Sequence, residues 1–136
     1  MRGALVEIWH CDAAGLYSGF GAGATSRTFL RGGQRTNASG LARFTTIYPG
    51  WYQGRTVHIH VKVHLGGTVV HTGQLYFNDA VTDTVYKRAP YRARGARTTR
   101  NADDSIFRNG GSRSQVKLKA DGNGGYVATI AMGIGR

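Results

Sequence analysis

His58 and His60 stand one residue apart in a run, Thr56 to Leu65, that alternates cleanly. Val57, Ile59, Val61 and Val63 fall in one register, and His58, His60, Lys62 and His64 in the other. On a strand, residues two apart point the same way with Cα atoms ~6.6 Å apart, at a rise of ~3.3 Å per residue. Two imidazoles held like this can converge on one metal ion. His64 shares the face but lies ~13 Å along the strand, too far for the same coordination shell. Any further donors must come from elsewhere in the chain. Cys11 is the single cysteine, and the seven carboxylates show no pair at ligand spacing near the histidines. Tyrosine is the abundant hard-oxygen donor, with seven copies, and Tyr52 sits just upstream in a turn-like stretch. A phenol of pKa ~10 binds at neutral pH only to a strong Lewis acid. Ferric iron suits such an oxygen better than zinc or magnesium does. Residue chemistry alone reaches a His/Tyr ferric site, with a polar strand face in a basic protein as the plainer alternative.

The elements that would position these residues read as strand after strand. Leu5 to His10 is rich in β formers, and Asp12-Ala13-Ala14-Gly15 closes it with a turn. Ser18 to Ser26 is glycine-rich and reads as a loop. Asn37 to Gly40 is a turn, Leu41 to Ile47 is expected as a strand, and Pro49-Gly50 suits a type II turn. Gly66-Gly67 fits a two-residue hairpin between the histidine strand and Thr68 to Phe77. Asp79 to Tyr86 is the one fair helix. Gln115 to Lys119, Asp121 to Gly124 and Tyr126 to Met132 form a final hairpin. Turn signals at this spacing predict an all-β antiparallel β-sandwich with long loops and at most one short helix.

A length of 136 residues allows one domain, and 40% hydrophobic residues allow a real core. Glycine is about twice as common as usual, 21 copies without a three-residue period, which suits many turns and excludes collagen. No apolar run approaches the ~18 residues of a membrane helix. The formal charge of +11 favours anionic ligands without specifying fold. Eight Lys/Arg against Asp103 and Asp104 lie between Lys87 and Arg113, a stretch read as a basic surface loop. No nucleic-acid-binding motif accompanies it.

The segment Thr46-Ile47-Tyr48-Pro49-Gly50-Trp51-Tyr52, followed by Arg55-Thr56-Val57-His58-Ile59-His60, resembles the iron-binding core of the intradiol ring-cleavage dioxygenases, the catechol and protocatechuate enzymes. Val6 to Ser18 is similar to that family's first iron-ligand strand and turn. Phe29 to Gly32 with Gln34, and Thr72 to Phe77, follow in the expected order. The likeness covers roughly residues 3 to 80. The wording around Trp9-His10-Cys11-Asp12 and Tyr17-Ser18 looks most like a secreted actinobacterial and fungal subgroup acting on lignin-related catechols.

Carried over residue by residue, the resemblance implies Tyr17, Tyr52, His58 and His60 as Fe(III) ligands. It further implies Tyr52 as the ligand that a chelating catechol displaces and that accepts a substrate proton. It implies Arg55 as a cation stabilising charge during attack by O2, and Gln74 as a polar neighbour of it. The implied reaction cleaves the ring between the hydroxylated carbons to a cis,cis-muconate-type diacid. Taken singly, Tyr17 and Tyr52 read as turn aromatics, Arg55 as a surface charge, Gln74 as a strand-edge amide and Cys11 as a buried thiol. Two other function classes stand beside the enzyme: a carbohydrate-binding module using Trp9, Trp51 and the tyrosines, and a polyanion binder using residues 87–113. The family's usual N-terminal segment does not precede Gly3. The expectations that follow are a domain shortened at an edge strand, a pocket open on one side, and a secretion signal lost with the segment, a cytoplasmic location being the alternative. Preferred catechol and oligomeric state, a homodimer included, stay open at this stage.

Overall fold

The computed structural model describes residues 1–19 and 27–134. Most of the expected glycine-rich loop, residues 20–26, lies outside the described residues. Six strands and two short helices follow in chain order: β1 (Leu5–Trp9), β2 (Arg31–Arg35), β3 (His58–Leu65), β4 (Thr68–Tyr76), α1 (Asp79–Val85), α2 (Ser105–Arg108), β5 (Lys117–Ala120) and β6 (Tyr126–Thr129). The first four form one antiparallel sheet in the order β2-β1-β3-β4, and β5 and β6 pair as a hairpin. The fold class is all-β, the antiparallel sandwich of the sequence reading.

Alternation dictates which side of the sheet becomes core. Val6 and Ile8 of β1 pack with Val61 and Val63 of β3 and with Ala4, and Phe44, Met132 and Ile134 cover them. A second cluster gathers Val57, Phe77, Val85, Tyr86 and Val116, with Tyr48, Trp51 and Ile130 against it. Ile59 and Leu75 touch both clusters. Burying such side chains contributes ~1.5–3 kcal/mol each, and it fixes the register, because a one-residue slip would turn every histidine of β3 inward. The Gly66-Gly67 turn has positive φ at both residues (55° and 83°), which closes the β3–β4 hairpin. Asn78 caps α1, its side chain accepting hydrogen bonds from the Ala80 and Val81 amides.

Three expectations change. Leu41 to Ile47 is not a strand, although Ala42 and Phe44 pack on the core. Its alternation reflects that packing, and it enters no strand ladder among the described residues. The strand on that side of β1 is instead β2, Arg-Gly-Gly-Gln-Arg, which is exposed throughout and has little β propensity of its own. Its ladder to β1, running from Leu5 opposite Arg35 to Trp9 opposite Arg31, supplies what propensity does not. Residues 87–114 are not irregular throughout. They contain α2 and three 3₁₀ turns at Tyr91–Arg94, Asn101–Asp103 and Gly111–Ser114, and they bury Thr99, Asn101 and Asp104.

Candidate active site

Antiparallel register brings five side chains to one face of the sheet. Trp9 of β1 lies opposite His60 of β3, and His60 lies opposite Gln74 of β4. One step along, His58 lies opposite Tyr76. The two remaining components arrive on turns. Asp12 closes the turn before Tyr17, its side chain accepting from the Ala14 and Leu16 amides. Tyr52 sits in the turn that leads to β3 and bridges to Arg55.

These two turns are locked to each other. The Gly50 amide donates to the Asp12 carbonyl at 3.0 Å. A Cβ at Gly50 would collide with the Asp12 and Ala13 carbonyls, and one at Gly15 (φ 82°) with the Trp51 carbonyl. Cys11 joins the same lock as a buried thiol, its Sγ donating to the Gly50 carbonyl at 3.3 Å. Burial, helped by the nearby Asp12 charge, pushes its pKa up to about 12, so it is a filler and not a nucleophile.

Tyr17, Tyr52, His58 and His60 meet at their polar ends. Tyr17 Oη lies 3.2 Å from Tyr52 Oη and 3.3 Å from His58 Nε2. Tyr52 Oη is 3.1 Å from His58 Nε2, while His60 Nε2 is 3.2 Å from both His58 Nε2 and Tyr17 Oη. Two nearly equilateral triangles thus share the Tyr17–His58 edge. Each triangle gathers three donor atoms within 3.3 Å of one another, a seat that its three donors could share around one ion.

Protonation chemistry agrees with that seat. His58 Nδ1–H donates to the Thr56 carbonyl at 2.7 Å, which turns the Nε2 lone pair toward the cluster. Burial lowers the pKa of His58 to about 4, against the opposing effect of that hydrogen bond, and lowers His60 as well. Both imidazoles are therefore neutral, as ligands must be. Burial and the hydrogen bond to Tyr52 raise Tyr17; burial also raises Tyr52, which its bond to Tyr17 partly offsets. Neither phenol ionises near neutrality unless a cation supplies the missing charge. Among the described residues no group of three or more His, Cys, Asp or Glu could hold a metal. Two imidazoles and two phenols brought together in this way are a donor set that fits Fe(III).

The remaining residues of the sequence reading fall around this cluster. Arg55 Nε donates to Asp104 Oδ2 at 2.8 Å and Nη2 to Gln74 Oε1 at 2.5 Å. Its positive charge reaches all four donors, depressing both histidines and opposing the rise of both phenols. His64 stands apart, its Nε2 2.5 Å from Glu7 Oε2. Four residues were not anticipated. Trp9 stacks on His60; Tyr76 donates to Gln74 Oε1 at 3.0 Å; Thr56 orients His58; Asp104 holds Arg55. For Asp104 a signal did exist, since Asp before Ser105-Ile106-Phe107 is an N-cap pattern. Its partnership with Arg55, 49 residues away, had none.

A family model described as "Dioxygenase" matches residues 1–102. An intradiol ring-cleavage dioxygenase of Tetranychus urticae superposes with a TM-score of 0.92 at 32% identity, covering 98% of this chain and 72% of that one. The dioxygenase domain of a dioxygenase–carbohydrate-binding protein fusion from Streptomyces sp. SirexAA-E gives 0.67 at 30% identity, over 96% of this chain and 66% of that one. A catechol 1,2-dioxygenase of Acinetobacter lwoffii is 45% identical over 53 residues, which are 38% of this chain and only 17% of that protein. By sequence, by superposition and by the order of its motifs, the chain belongs to the intradiol ring-cleavage dioxygenase family.

Proposed function

We propose that this protein is a non-haem Fe(III) dioxygenase that opens catechol-type rings between their two hydroxylated carbons, with Tyr17, Tyr52, His58 and His60 holding the metal. The observation that carries this reading is the convergence of those four donors beside Arg55 in a chain of this family. Bound there, Fe(III) would supply Lewis-acid polarisation of a catechol-type substrate, activating its ring toward O2.

The chain's own groups do the rest. The Tyr52 oxygen, at the turn end of the cluster, takes a proton from the incoming catechol. Arg55, fixed by Asp104 and Gln74, keeps a positive charge beside the ring and stabilises negative charge as it moves toward oxygen. Tyr76 and Arg55 both donate to Gln74 Oε1, which keeps that amide from turning. Before substrate arrives, Tyr17 and Tyr52 as phenolates would offset two of the three charges of Fe(III), leaving a cationic site suited to an anionic catechol.

The test is purification with iron, followed by oxygen uptake on a panel of catechols and identification of the product. The expected results are a red to burgundy protein, a spectral change on anaerobic catechol addition, and a muconate-type diacid. A colourless protein with full iron occupancy removes the tyrosines from the ligand set. A chain that takes up almost no iron and binds polysaccharide or polyanion is a binding module.

A further inference from the structure

The side chain of Asp104 is 1% exposed and accepts four hydrogen bonds. Oδ1 takes the Ile106 and Phe107 amides at 2.9 and 3.0 Å, which caps α2. Oδ2 takes Arg55 Nε and the Thr56 amide, both at 2.8 Å. The neighbouring Asn101 reinforces this junction, accepting from Thr56 Oγ1 at 2.6 Å and donating through Nδ2 to the Phe77 carbonyl at 2.8 Å. A carboxylate is costly to bury unless fully paired, so four donors on one buried group mark a built junction. Burial works against its charge, but the hydrogen bonds from Phe107, Thr56 and Arg55 outweigh it and hold the carboxyl below its ordinary range.

From this geometry we infer that Asp104 is the positioning residue for Arg55, holding the guanidinium against Gln74 and next to the four-donor cluster. Segment 87–113 thereby becomes part of the site's support. The inference rests on the dioxygenase reading only for its kinetic consequence. Arg55 is an unusual choice for a free surface cation, because its Nε is spent on a buried acid and its Nη2 on an amide. A guanidinium held at both points presents its charge in one place without reorganising, which is what stabilises a developing anion.

The variants are Asp104→Asn and Asp104→Ser. Both keep an oxygen able to cap α2, and neither gives Arg55 a carboxylate. In the wild-type chain loaded with gallium(III), a diamagnetic stand-in for ferric iron, the Arg55 Nε–H gives a resolved, slowly exchanging proton NMR signal, assigned by its loss in Arg55→Lys. Both Asp104 variants lose that signal. With iron, both keep metal content, colour and the KM for catechol, while kcat per iron falls about tenfold or more. Adding either change to Arg55→Ala produces little further loss, since the two residues act through one group. Three results overturn the inference: no slow signal in wild type, full kcat in either variant, or additive losses with Arg55→Ala. A slow signal lost on substitution, in a wild-type protein that consumes no oxygen with any catechol, leaves the Asp104–Arg55 clamp standing and removes the dioxygenase reading.

Discussion

The imidazole of His60 lies flat on the indole of Trp9, with ring centroids 4.9 Å apart and planes within 3° of parallel. His58 gains its orientation from a carbonyl; His60 gains it from a ring. Arg31 and Lys62 stand over the same indole at 5.1 and 5.7 Å, which restrains Trp9 in turn. Trp9→Leu is expected to weaken iron retention about tenfold, as loss of support behind a ligand usually does. Trp9→Phe recovers most of it. Iron release to a chelator, followed by colour, measures both.

His58→Ala and His60→Ala each remove one corner of the cluster and are expected to strip most of the iron. His64→Ala is expected to leave iron content unchanged and to cost stability by no more than ~1 kcal/mol, because its partly exposed contact with Glu7 is a surface pair. Metal analysis of the three purified variants checks this. Loss of metal in His64→Ala would mean that the register of β3 is wrong.

Arg55→Ala is expected to keep iron and colour while turnover per iron drops roughly a hundredfold, the usual effect of removing one preorganised donor, ~3 kcal/mol. Arg55→Lys recovers little, since an ammonium cannot reach Asp104 and Gln74 in the planar fork that the guanidinium uses. Oxygen uptake at saturating catechol, normalised to iron, is the measurement.

His10 offers a pH test away from the metal cluster. It is 1% exposed, with Nδ1 2.7 Å from the Cys11 carbonyl and Nε2 2.7 Å from Thr46 Oγ1. Burial lowers its pKa, against the raising effect of the Cys11 carbonyl. The unfolded chain therefore binds a proton more readily than the folded one. Its contribution is complete above pH 6.5 and is lost as pH falls from there through the folded value. Denaturant unfolding at several pH values is expected to show stability falling below pH 6.5, with a shallower slope in His10→Gln.

What was legible in the sequence follows from how local each signal is. The alternation of Thr56 to Leu65, the Gly66-Gly67 turn and the capped helix at Asp79 are written in neighbouring residues, and they stand. β2 was missed because two glycines between arginines carry no strand signal, and only the exposed edge of β1 makes them one. Leu41 to Ile47 misled because packing on a core produces the same alternation as a ladder does. At the site, His58 and His60 were visible from spacing, Tyr52 from its donor chemistry, and Tyr17, Arg55 and Gln74 through family likeness. Asp104 carried an N-cap signal only, because one of two adjacent acids in a basic stretch looks like a solvated charge until the chain brings it to Arg55.

The fastening of the Asp12–Gly15 turn to Gly50 and Trp51 has a kinetic corollary for the two tyrosines. Each glycine fits flush against the other turn's carbonyls, and the Gly50 amide bonds the Asp12 carbonyl, so the two backbones pack as one unit. On the dioxygenase reading proposed above, the Tyr52 hydroxyl would leave the cluster by torsion about its own side-chain bonds, with the turn beneath it stationary. Such rotations cost little and complete far faster than a loop rearrangement. A larger residue at Gly15 or Gly50 would therefore disturb both turns, and with them both phenols, at once.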